Sequence, residues 1–146
     1  MSEANVVLRR SYAHMFAQAA LASAENEIDR IGHMSSLGVT LPQERSHLHP
    51  LVPFHLDSIL ALVVLTIYEY CQRGNVSRMR ARINQAVTTA MDMSLHELGL
   101  TTTEYSEAQR RAWWMTPPVI TAEDQRITTP FPQFDMHLEV SYYLQN

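Results

Sequence analysis

There is no lysine in this chain: all eleven of its basic side chains are arginine. Fifteen acidic residues outnumber them, and the formal net charge is −4. A negative domain is repelled by the phosphate backbone unless its arginines gather on one face, which argues against nonspecific DNA binding. Cysteine is nearly absent too. Cys71, standing alone, excludes an intramolecular disulfide framework and any multi-cysteine metal site, and it fits a reducing compartment. Met1 to Asn5 is polar and acidic and lacks the charged start and apolar core of a signal peptide. The longest uninterrupted apolar run, Ile59 to Leu65, falls short of the ~20 residues of a membrane helix. Together these absences set the expectation of an intracellular, soluble protein.

What is present suits one folded domain: 146 residues, 46% of them hydrophobic and 18% charged, enough chain for a sizeable core. Between Val6 and Ile31 the residues Tyr12, Met15, Phe16, Ala19 and Ala20 recur at helical spacing and predict one apolar face. Glu25, Glu27, Asp29 and Arg30 supply the wet side. Gly32 and then Gly38 are expected to end this helix, with Pro42 beyond.

A loop follows from Ser35 to Pro53, punctuated by Gly38, Pro42, Pro50 and Pro53. It carries His47 and His49, with His55 just after it. A His-x-His pair with a third histidine offers metal ligands. Neither carboxylate nor cysteine accompanies them, so they read as loop histidines and no metal is expected.

The next helix is expected after Pro53, with Asp57 or Ser58 as its cap. Ile59, Leu60, Leu62, Val63, Val64, Leu65, Ile67, Tyr68 and Tyr70 make it apolar almost all round, which predicts burial on most sides. Its β-branched residues leave a buried strand as the alternative, but the run is long for a strand. Arg73-Gly74-Asn75 stops it. From a cap at Asn75 or Ser77, the residues Met79, Ile83, Ala86, Val87, Ala90 and Met91 then form an amphipathic stripe. Met93, Leu95 and Leu98 extend that stripe and Gly99 closes it. The short break at Gly74 predicts an αα-hairpin.

Thr101 with Glu104 forms a possible capping box for a helix through Trp114, on which Tyr105, Ala108, Ala112 and Met115 share one stripe. Trp113 and Trp114 must diverge. Thr116-Pro117-Pro118 ends the helix, and Leu138 to Leu144 reads as either a short strand or a helical turn. The fold class is all-α: antiparallel helical hairpins, a partial helical-repeat domain with an irregular C-terminal tail.

Little chemistry is written on these elements. Cys71 and His96 are the one cysteine–histidine pairing worth naming, and a thiol at the end of an apolar helix is expected to be buried and inert. No nucleophile motif is present, so no catalysis is expected. Arg110 and Arg111 beside two tryptophans permit a stacking patch for a ligand or nucleic acid. The preferred reading puts a tryptophan in the core and pairs an arginine with Glu107. Arg78, Arg80 and Arg82 oppose a helix dipole and hint at an anionic partner, though a solvated face is the simpler account. His96 is expected to pack at a helix end and bond a backbone carbonyl.

The order of pieces resembles the regulatory domain of fungal zinc-cluster transcription factors, the middle homology region of xylanolytic-activator type. The residues that carry the likeness are Tyr68-Glu69-Tyr70, Arg73-Gly74-Asn75, Ala86 with Ala90, and Leu95-His96. They continue with Glu107 to Arg111, Trp113-Trp114, Pro117-Pro118-Val119-Ile120 and Thr129-Pro130-Phe131-Pro132. Leu95, His96, Arg110, Arg111, Trp113 and Trp114 are then the motif residues, structural rather than catalytic. The likeness covers about residues 50–132, leaving 1–49 as an N-terminal helix and Pro/His loop and 133–146 as a tail.

The resemblance implies a nuclear regulator that leaves DNA contact to a separate zinc module and acts through other regulators or its own copies. The family's binuclear cluster takes six cysteines, so with Cys71 alone this chain is expected to hold no zinc and no other cofactor. Family members continue the tryptophan helix and add further helices. The expectation is therefore a truncated relative whose uncovered stripes drive it to associate.

Overall fold

A computed structural model describes residues 3–38, 49–100, 102–116 and 128–130. Among them the fold is all-α, with four helices and no strand: α1 (Glu3–Ser36), α2 (Asp57–Cys71), α3 (Val76–Asp92) and α4 (Ser106–Met115). Two 3-10 turns, Phe54–Leu56 and Leu95–Glu97, lead into α2 and out of α3.

The longest helix is α1. Gly32 does not end it, because a glycine costs a helix only about 1 kcal/mol and still makes its backbone hydrogen bonds. Termination waits for Gly38, whose φ of +66° turns the chain left-handed. Its buried side is not the expected one. Ala17, Leu21, Ala24, Ile28 and Ile31 form the seam toward the rest of the molecule, with Ala24 and Ile31 buried. Tyr12, Met15 and Phe16 are 51, 56 and 70% exposed. The helix carries apolar residues on two sides, and α2 covers only one of them.

Helix α2 is entered through its 3-10 turn, so Asp57 is already helical and no side chain caps the start. Ser58 Oγ instead donates to the His55 carbonyl. Gly74 (φ +60°) reverses the chain, its N–H bonding the Tyr70 carbonyl, and Asn75 Oδ1 caps α3 by accepting from Arg78 N at 3.0 Å. The register of the reversal is legible in the core. Leu56 and Ile59 at the start of α2 share a cluster with Ala90 near the end of α3. Leu62 and Val63 further along share another with Ile83 and Ala86, against Leu21, Ala24 and Ile28 of α1. The two helices are therefore antiparallel, as the break at Gly74 requires. Each large side chain taken out of water contributes roughly 1.5–3 kcal/mol before entropy.

The expectation that α2 is buried on most sides needs correcting. Val64, Ile67 and Tyr70, three residues apart, are all more than half exposed, because α1 and α3 together wrap only part of its circumference. The turn and helix together, Phe54–Cys71, make eighteen residues of mean hydropathy 1.4. By length and composition that segment is apolar enough to cross a membrane, which the shorter run Ile59 to Leu65 had not suggested.

Helix α4 starts at Ser106, later than expected, and Thr101 lies outside the described residues. Its first turn is fixed reciprocally: Ser106 Oγ donates to the Thr103 carbonyl at 2.9 Å and accepts from Thr103 N at 3.2 Å. Tyr105 and Ala112 are buried and Ala108 partly so, while Met115 at the far end is 49% exposed. The segment Leu138 to Leu144 also lies outside the described residues.

Candidate functional site

Leaving α3, the chain turns left-handed at Ser94 (φ +55°) and drops Leu95 and His96 into the interior. Leu95 joins Leu56, Ile59, Ala90, Ala112 and Trp113 in one buried cluster. The His96 ring lies 5.8 Å from that of Trp113, tilted by 42°. Three residues of the later loop close over this pair. Thr128 N donates to the His96 carbonyl at 2.8 Å, Thr129 Oγ1 donates to the Leu95 carbonyl, and Leu98 N donates to Thr129 Oγ1 at 3.0 Å. Trp114, packed against the edge of the same cluster, donates its indole Nε1–H to the Pro130 carbonyl at 2.9 Å. Leu95, His96, Trp113 and Trp114 thus meet in one knot at the open end of the α2–α3 hairpin.

The two arginines stand outside that knot. Arg111 Nε lies 2.8 Å and Arg110 Nε 3.4 Å from the two carboxylate oxygens of Glu107, one turn earlier on α4. This is the ion-paired arrangement preferred from the sequence, and it leaves neither guanidinium stacked on an indole among the described contacts. The basic start of α3 is also matched. Arg78 lies 4.0 Å from the buried Glu69, Arg73 lies 3.5 Å from the same carboxylate, and Arg82 reaches Glu25 of α1 at 3.5 Å. Arg80 is exposed.

Two expectations about single residues fail. The His96 ring does not bond a backbone carbonyl: Nε2 sits 3.1 Å from Glu97 Oε1, and Nδ1 is buried without a hydrogen-bond partner among the described residues. The carbonyl that matters is His96's own, which accepts from the threonine loop. Cys71 is exposed rather than buried. It also stands at the opposite end of the hairpin from His96, separated by the length of α3, about 25 Å at 1.5 Å per residue. Thiol and imidazole therefore form no catalytic pair.

Of the three histidines weighed as ligands, His47 lies outside the described residues. His49 Nδ1 accepts from Leu51 N at 3.1 Å. His55, on the 3-10 turn before α2, faces a cleft of about 360 Å³ between α1 and α3, lined by Ile31, Thr89, Asp92 and Met93. Its burial pushes the imidazole pKa below 6.5, and the nearby carboxylates of Asp57 and Glu27 pull weakly the other way. Among the described residues no group of three histidine, cysteine or carboxylate side chains is placed to hold a metal ion.

Thr129 and Ser106 are the positions that sequence reasoning undervalued. Thr129 appeared only as part of a proline-flanked loop. Its partners lie more than thirty residues upstream, so no local pattern could have singled it out. Ser106 was legible in principle, because Thr103-x-x-Ser106 is a helix-start spacing. Two further grooves flank α1. One of about 560 Å³ includes Glu27, Arg30, Phe54 and Asp57, with the Arg30 guanidinium 5.8 Å over the Phe54 ring. The other, about 400 Å³ and almost wholly apolar, runs between Phe16 and Ala20 of α1 and Leu60, Val64 and Tyr68 of α2.

No family model, curated protein or solved structure matches the chain.

Proposed function

We propose that this chain is the regulatory helical domain of a fungal zinc-cluster type transcription regulator, acting in the nucleus through protein contacts rather than by touching DNA. One observation carries the reading. The two halves of the motif, Leu95-His96 and Trp113-Trp114, are separated in sequence yet share one buried cluster, and Thr129-Pro130 of the third motif fastens both. A motif whose distant parts bind one another acts as a unit, and its residues are spent on holding shape. The net charge of −4, with Arg110 and Arg111 engaged by Glu107, favours contact with protein over contact with nucleic acid. A binuclear zinc cluster has no counterpart here: its six thiolates cannot come from Cys71 alone. DNA contact in this reading belongs to a separate module.

A second reading is favoured by the exposed apolar faces of α1 and α2: a free-standing helical interaction protein that pairs with full-length regulators. One experiment serves both. The whole chain is tethered to a heterologous DNA-binding module in fungal cells, and reporter output is compared with the module alone. A change in output is expected for the regulatory domain. An unchanged reporter, together with co-purification of a full-length regulator, would replace the first reading by the second.

A further inference from the structure

The cleft that His55 faces measures about 360 Å³, near the lower end of the roughly 300–1,000 Å³ typical of small-molecule sites. Three polar side chains line it, and each offers an acceptor. Thr89 is buried and donates its hydroxyl proton to the Gln85 carbonyl at 2.9 Å, so its oxygen is left to accept. Asp92, once ionised, can only accept. Burial holds the His55 imidazole below its usual pKa, so at neutral pH the ring is uncharged and one nitrogen accepts. The other nitrogen carries the one side-chain donor on the wall. The remaining side chains, Ile28, Ile31 and Met93, are apolar.

Asp92 gives the cleft its charge. It is the last residue of α3, and no basic side chain stands in that turn. A carboxylate there adds to the negative end of the helix dipole, a combination that a cation relieves. Asp92 has no ion pair or hydrogen bond among the described residues. Glu27 and Asp57 line the neighbouring groove instead, where Arg30 holds Glu27 at 2.7 Å. Gly32 completes the wall from α1. Glycine is a poor helix former, yet this one lies inside a helix where a Cβ would meet nothing within 4 Å. No close packing calls for it, and its effect is to leave the cleft open on that side.

We propose that this cleft binds a small organic ammonium ion with a compact apolar body. The ammonium group, which can only donate, bonds the Asp92 carboxylate, and the His55 nitrogen and Thr89 Oγ1 offer further acceptors. The body lies over Gly32 between Ile31 and Met93. An anion would meet a carboxylate and no cation, and a neutral alcohol would leave the Asp92 charge unanswered. Such a ligand touches α1, the 3-10 turn and α3 together, so it fastens the end of α1 to the hairpin. The inference rests on the cleft and stands whether or not the chain regulates transcription.

Benzylamine is the probe, with benzyl alcohol and benzoate as controls of similar size, each added to the full chain at about 10 mM. Benzylamine should raise Tm by about 2–4 °C, as a millimolar ligand does, and the controls should leave it in place. Amide resonances of Ile31, Gly32 and Thr89 to Met93 should move as benzylamine is added. Asp92→Asn should weaken its binding by about tenfold or more, whereas Glu3→Gln, the same charge change at the far end of α1, should not. Gly32→Leu, a better helix former whose side chain takes up the open volume, should stay folded and lose the ligand. Circular dichroism checks the helices of each variant. An unchanged Tm with benzylamine, an equal rise with benzyl alcohol or benzoate, or resonance changes confined to other parts of the chain would overturn the proposal. So would full binding by Asp92→Asn or Gly32→Leu, or an equal loss in Glu3→Gln.

Discussion

His96 and Trp113 meet ring to ring at 5.8 Å, and that contact joins the turn after α3 to α4. The indole is only 3% exposed and also touches the Leu56–Ile59 end of α2 through the shared cluster. One side chain thus ties α2, α3 and α4 at a single point. Trp114, next in sequence, is less deeply set at the edge of that cluster and holds the threonine loop through Pro130. Adjacent residues on a helix diverge by about 100°, so the pair divides the work between core and loop.

Replacing Trp113 by alanine should therefore cost about 3–5 kcal/mol, the usual range for deleting a buried aromatic side chain. Trp114→Phe, which trims the indole to a phenyl ring and removes the Nε1–H bond to the Pro130 carbonyl, should cost less, about 1–2 kcal/mol. Urea unfolding of the two variants checks the order. Equal losses would mean that the two indoles do not have the separate roles described.

Thr129→Val preserves volume and removes the hydroxyl that gives to the Leu95 carbonyl and takes from Leu98 N. Removing a buried, doubly used hydroxyl should destabilise the protein by about 1–3 kcal/mol. Hydrogen exchange should show faster amide exchange in the Leu95–Glu97 turn, with little change in α1. Uniform acceleration over all four helices would assign the threonine a merely global part.

The hairpin was readable because its signals are local. Gly74 and Asn75 stop one helix and start the next, and the Met79-to-Met91 spacing fits a single covered face. The inward side of α1 was not readable. Two apolar seams half a turn apart give no periodicity that says which is covered, and the bulkier residues, Tyr12, Met15 and Phe16, drew the wrong choice. The same limit applied to α2, whose all-round apolarity cannot reveal that Val64, Ile67 and Tyr70 face outward. At the motif knot, the divergence of Trp113 and Trp114 followed from helix geometry alone. Which of them enters the core, and which loop closes over Leu95, depended on contacts far apart in sequence.

Ser94 is the one non-glycine among the described residues with positive φ, at +55°. A side chain in the left-handed region costs roughly 1–2 kcal/mol, offset here by backbone hydrogen bonds from Ser94 N to the Met91 carbonyl and from Glu97 N to the Ser94 carbonyl. Glycine keeps both bonds and removes the steric cost, although it gives the unfolded chain more freedom. Ser94→Gly should raise stability by about 0.5–1 kcal/mol, seen as a higher urea midpoint at unchanged slope. A lowered midpoint would mean that the serine side chain contributes more than its backbone strain costs.

His55 makes stability depend on pH in a direction that follows from its burial. Its pKa in the folded protein lies below the 6.5 of the unfolded chain, because burial at the cleft between α1 and α3 disfavours the charged ring. Above pH 6.5 the imidazole is neutral in both states and the contribution is constant. As pH falls through 6.5 the unfolded chain takes up a proton that the folded protein still refuses, so folding loses stability. The loss stops once pH drops below the folded pKa and both states are charged. Asp57 and Glu27 limit its size by attracting the imidazolium. Thermal melts at pH 7.5 and 5.5 should show a lower Tm at the acid end, and His55→Gln, which cannot titrate, should shrink that difference. Because the other histidines and the carboxylates titrate in both proteins, the difference between the two pH profiles reports His55 alone. A variant profile parallel to the wild type would show that His55 is as well solvated in the folded chain as in the unfolded one.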